Sequence, residues 1–85
     1  MFASSKDFEI AMYKCLLAIN SGKNYTTLDN EYDLLDLNEA IYKASQLAYV
    51  TGVHGERVAS GHVCIDISNP QLTYEGLKFI ENFKS

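Results

Sequence analysis

Residues 34–53, LLDLNEAIYKASQLAYVTGV, carry two periodicities in immediate succession. Leu37, Ala40, Ile41, Ala44, Leu47 and Ala48 recur at helical spacing and define one apolar face. Tyr49 to Val53 is β-prone, so the spacing predicts a helix that runs directly into a strand. Asp36 is expected to open this helix, because Asp36-Leu37-Asn38-Glu39 has the pattern of a capping box with Asp in the usual Ser or Thr position. The three alanines permit close approach of a neighbouring helix. The opposite face carries Asn38, Glu39, Tyr42, Lys43 and Gln46.

Upstream, Ser4 or Ser5 can cap a helix that starts near Lys6, with Asp7 favourably placed in its first turn. Phe8, Met12, Cys15, Leu16 and Ile19 form its apolar face, and Asn20-Ser21-Gly22 is a stop signal. A second stripe, Ile10, Tyr13 and Leu17, is either covered within the fold or a homodimer or partner surface. Lys23 to Thr26 reads as a connector. Thr27 is expected to cap a short helix through about Leu34.

Downstream, Val63, Ile65 and Ile67 alternate with His62, Cys64 and Asp66. Antiparallel strands are expected at Tyr49–His54 and His62–Ile67, joined by a polar loop over Gly55–Gly61, with Asn69-Pro70 ending the second. Thr73 is the natural N-cap of a closing helix containing Leu77, Phe79, Ile80 and Phe83. Gly76 in its first turn costs about 1 kcal/mol relative to Ala. A close backbone neighbour, such as a strand, would explain a glycine there. Helix, short helix, helix, hairpin, helix is the order of an α+β winged helix, expected as one domain over residues 1–85.

The segments Gln46-Leu47-Ala48-Tyr49-Val50-Thr51-Gly52-Val53 and Leu72-Thr73-Tyr74-Glu75-Gly76-Leu77-Lys78-Phe79-Ile80, separated by a variable hairpin, resemble the YjcQ-type winged-helix proteins. These are small proteins common in bacteriophages and prophages of Gram-positive bacteria. The likeness extends by pattern over about Phe8 to Phe83. Lys23–Leu35 departs from it in being unusually acidic. The resemblance implies a winged helix, a mobile-element origin and no enzyme activity. No functional residue is carried over from it.

Charge bears on the function such a fold suggests. A winged helix usually presents its second helix-turn-helix element to the major groove and its wing to the flanking backbone. The reading face would be Asn38, Glu39, Tyr42, Lys43 and Gln46, with Arg57 and His54 on the wing. Yet the formal net charge is −4, and Arg57 is the single arginine. Asp29, Glu31, Asp33, Asp36 and Glu39 occur without an intervening Lys or Arg. Phosphate contacts supply a large share of DNA affinity, so these acids oppose it. Two regulatory readings follow: a DNA-binding transcriptional regulator, or a protein-interaction module such as an antirepressor, adaptor or inhibitor using an acidic face.

His54, His62 and Cys64, with Asp66 as a fourth, are the candidate metal ligands, but they lack a paired Cys-x-x-Cys, and no metal or other cofactor is expected. Cys15 sits among apolar residues with no activating partner, and no phosphate-binding glycine loop or Ser-His-Asp pattern is present. The chain is therefore expected not to be an enzyme. The beginning MFASSKDFEI lacks the basic and apolar regions of a signal peptide, and no segment has the length of a membrane span. A soluble cytoplasmic protein is expected.

Overall fold

In the computed structural model, which describes residues 2–84, the chain folds as α+β. Three helices, α1 (Ser5–Asn20), α2 (Leu34–Gln46) and α3 (Tyr74–Lys84), pack with an antiparallel hairpin of β1 (Val50–Arg57) and β2 (Val63–Leu72). A single 3₁₀ turn, Tyr25–Leu28, joins α1 to α2.

α1 forms as its caps prescribe. The Ser4 hydroxyl accepts from the Asp7 N–H at 3.1 Å. At the other end Gly22 turns left-handed (φ 81°). Lys23 N–H then reaches Ala18 O and Gly22 N–H reaches Ile19 O, the paired bonds of a Schellman turn. Ala11, Met12, Cys15, Leu16 and Ile19 are buried. They meet Leu37, Ala40, Ile41 and Ala44 of α2, and Leu16, Cys15, Leu37 and Ile41 are enclosed completely.

The connection differs from expectation. Asn24, not Thr27, caps the short element by accepting from Thr26 N–H at 3.0 Å. Thr27 instead donates its hydroxyl to Asn24 O, and the turn ends at Leu28. α2 starts at Leu34, before the expected Asp36, with Asp33 at the N-cap. Asp36 therefore lies inside the first turn, where its charge favours the helix dipole, and the capping box does not form.

α2 also ends earlier. Gln46 is its last residue, and Leu47 and Ala48, expected on the inner face, form the exit. Ala48 is left-handed (φ 63°), and Tyr49 N–H bonds back to Ala44 O at 2.9 Å. A Schellman turn with alanine in the usual glycine position thus converts helix to strand.

The hairpin is longer than expected and its loop correspondingly shorter, over residues 58–62. Gly55, Glu56 and Arg57 pair with Ile65, Cys64 and Val63. Gly61 is left-handed (φ 90°) and donates to Val58 O, closing the turn. Asn69-Pro70 does not end β2. An irregularity between Thr51 and Val53 absorbs it, with Gly52 (φ 77°) and Asn69 (φ 51°) both left-handed. Val50 and Val53, three residues apart, can therefore both face the core, which an unbroken period of two forbids.

α3 closes the fold as its sequence predicts. Thr73 caps it by accepting from Gly76 N–H at 3.1 Å. A Cβ on Gly76 would fall directly against Tyr49 O, so the close backbone neighbour is the start of the hairpin. Alanine has the better helix propensity by about 1 kcal/mol. The clash with backbone outweighs it, because a main-chain oxygen cannot rotate away. Gly76→Ala is expected to destabilise the fold by about 2 kcal/mol, seen as a lower urea midpoint at unchanged slope.

Candidate functional site

The outer face of α2 meets the hairpin along one flank. Asn38 accepts a short hydrogen bond from the Tyr25 hydroxyl and donates Nδ2 to Val63 O at 3.3 Å. It thereby ties the 3₁₀ turn, α2 and β2 together. One residue on, Glu39 takes Arg57 in a bidentate grip, at 2.8 Å to Nη1 and 3.1 Å to Nη2. Arg57 Nη1 also donates to Gly61 O at 2.7 Å, and its guanidinium lies 5.9 Å from the Tyr42 ring centre. Donating to the Glu39 carboxylate, and next the charge of that carboxylate, raise the Arg57 pKa. Tyr42 packs closely on Gly55, where a Cβ would collide with the ring.

Of the six residues predicted to form the ligand face, Asn38, Glu39, Tyr42 and Arg57 thus serve the docking of the hairpin on α2. Lys43 and Gln46 remain exposed without a side-chain hydrogen bond or ion pair among the described residues. They line an open groove of about 800 Å³ between the N-terminal half of α1 and the outer side of α2. Its apolar lining includes Phe8, Met12, Leu47, Tyr49 and Phe79. Phe8 and Met12 also belong to the apolar face of α1: Met12 is buried, and Phe8 is half-buried with its ring centre 4.7 Å from that of Phe2.

The stripe on α1 is used within the fold. Tyr13 stacks on Phe83 with ring centres 4.6 Å apart, and Leu17 packs half-buried on the core. Ile10 is also half-buried, beside Phe2, Tyr32 and Asp36. In the acidic segment, Lys14 reaches Glu31 at 3.1 Å and lies 5.7 Å from the Tyr32 ring. Asp29 and Asp33 are exposed.

The proposed metal ligands stay apart. His54 sits opposite Asp66 and Cys64 opposite Glu56 on the exposed face of the hairpin, whereas His62 follows its turn. No group of three or more His, Cys, Asp or Glu suited to a metal occurs among the described residues. No helix among them is long and apolar enough to cross a membrane. Comparison with family models, curated proteins and solved structures finds no match.

Two stability predictions follow from buried polar chemistry. Asn38→Leu removes the partner of the buried Tyr25 hydroxyl, an expected loss of about 1–3 kcal/mol in urea unfolding. In a Tyr25→Phe background the same change should cost clearly less, because no orphaned hydroxyl remains.

Burial raises the Cys15 thiol from 9.0 to about 12. The unfolded chain releases that proton near the ordinary value while the folded chain keeps it. The contribution is therefore complete below about pH 9 and is lost as pH rises towards about 12, at up to about 1.4 kcal/mol per pH unit. The Tyr25 hydroxyl, raised first by burial and then by nearby Cys15, acts in the same direction. Urea midpoints at about pH 8 and about pH 10 should fall less steeply in Cys15→Ala than in the parent chain.

Proposed function

We propose that the chain is a small winged-helix regulatory module, of the phage or prophage kind its resemblance implies, that acts by binding another protein. The binding surface is the outer side of α2 and its ends. The observation that carries this reading is the bidentate Glu39–Arg57 pair. A wing arginine that reads DNA must offer its guanidinium to phosphate or a base edge. Here a carboxylate of the reading helix already occupies it. Asn38 and Tyr42 are likewise committed to the hairpin. Among the described residues of the six-residue face, Lys43 is left as the unpaired cation, and Asp33 lies exposed at the same helix's start.

What the surface offers instead is apolar. Leu34 and Leu35 at the start of α2, Leu47 at its end and Val58 at the hairpin tip are exposed. Apolar anchors with a charged surround are the chemistry of a protein interface. The acidic start of α2 favours a partner with basic residues there. Such a module works stoichiometrically, as an adaptor, antirepressor or inhibitor.

Titration with duplex DNA at low salt, followed by a salt series, tests the choice. No salt-dependent association is expected, in the parent chain or in Lys43→Ala and Arg57→Ala. Association that weakens with salt and is lost in those two variants would replace this reading with DNA recognition.

A further inference from the structure

We infer that the groove between α1 and α2 receives an amphipathic α-helix of the partner, with an acidic residue on the flank that meets Lys43. This rests on the protein-binding reading above and names what occupies the site.

The walls decide the conformation of the occupant. α1 and α2 form most of the groove, and their main-chain groups are bonded within the helices. An extended segment laid there would bury N–H and C=O groups with nothing opposite to satisfy them. A helix satisfies its own backbone and needs only side-chain docking. The wall residues also stand in helical rows. Phe8 and the buried Met12 are four apart on α1, and Lys43 of α2 is four before Leu47 at its C-cap. Rows at this spacing accept the ridges of a third helix. The volume, about 800 Å³, takes two or three anchor side chains rather than a whole domain.

Charge sets the orientation about the helix axis. The α2 wall carries exposed Lys43 and Gln46, and Arg57 stands at its edge held by Glu39. The α1 wall carries Glu9. An occupant thus places its apolar stripe on exposed Leu47 and half-buried Phe8 and Phe79, over the buried floor at Met12, an acid towards Lys43, and a base or neutral polar residue towards Glu9.

Three fluorescein-labelled peptides of about four helical turns provide the probe. All carry Leu at i, i+4, i+7 and i+11. The first has Glu along one flank, the second Lys in those positions, and the third is the Glu peptide with a central Pro. Fluorescence polarisation is read at physiological salt, where the overall negative charge is screened beyond about 8 Å and local contacts dominate. The Glu peptide is expected to bind at least about ten-fold more tightly than the Pro peptide, and more tightly than the Lys peptide. Leu47→Glu should weaken it by about ten-fold or more, and Lys43→Glu should invert the preference between Glu and Lys flanks. Both positions are exposed, and circular dichroism checks that the variants fold.

Equal binding of the Pro peptide, or affinities unchanged in both variants, overturns the groove assignment. If such binding is instead abolished by Leu35→Glu, the protein-binding reading stands and only the groove falls. Binding of none of the three peptides also overturns the groove assignment. Joined with salt-dependent binding of duplex DNA, it overturns the protein-binding reading as well.

Discussion

The turn at Ala48 is the constraint on which the arrangement of the other elements depends. A left-handed alanine costs about 1–2 kcal/mol and persists only where its surroundings hold it. Thr73 does most of that holding. Its hydroxyl donates to Ala48 O, its N–H donates to Tyr49 O at 3.0 Å, and its Oγ accepts from Gly76 N–H. One residue thereby fixes the end of α2, the start of β1 and the start of α3. Gly76 lets α3 close directly on Tyr49 O, and the Tyr49 ring then stacks on Phe79 with centres 4.9 Å apart. The direction in which the hairpin leaves α2 is set at this point.

From there the hairpin runs back along α2 and is tied to it at successive positions. Tyr42 needs the missing side chain of Gly55, Glu39 needs Arg57, and Asn38 needs Val63 O. The Glu39–Arg57 pair is surface-exposed, and such pairs add little to stability. Its larger effect is electrostatic, because it neutralises the hairpin's arginine beside the outer side of α2.

Much of this was legible in the sequence. The spacing of Leu37, Ala40, Ile41 and Ala44 gave the buried face of α2, and the alternation of Val63, Ile65 and Ile67 gave β2. Ser4, Gly22, Thr73 and Gly76 each act as their local chemistry indicates. The differences between expectation and structure have physical causes. A helix C-terminus that uses alanine in place of glycine carries no local signal, so the helical spacing runs on through Leu47 and Ala48 although α2 stops at Gln46. Asn69-Pro70 looked like a terminus because a bulge that needs Gly52 on the opposite strand cannot be read from one strand alone. The polar face of α2 was identified as a face, but periodicity does not say whether polar residues turn to solvent or to another element. Asn38, Glu39 and Tyr42 turn to another element.

That commitment has a consequence for where recognition can occur. Asn38, Glu39 and Tyr42, the middle of the polar face of α2, are taken up in holding the hairpin. Residues that latch a hairpin to a helix cannot at the same time be read out by a ligand without releasing the latch. In the protein-binding reading proposed above, selective binding would fall to what the latch leaves open: the exposed leucines at the ends of α2, and the groove beside Lys43 and Gln46. Those are side chains suited to another folded protein surface, and in the same reading the acidic segment before α2 would select further among such surfaces by charge. On this reading the helix that would touch DNA in a winged helix has instead been spent on the hairpin, and recognition moves to its margins.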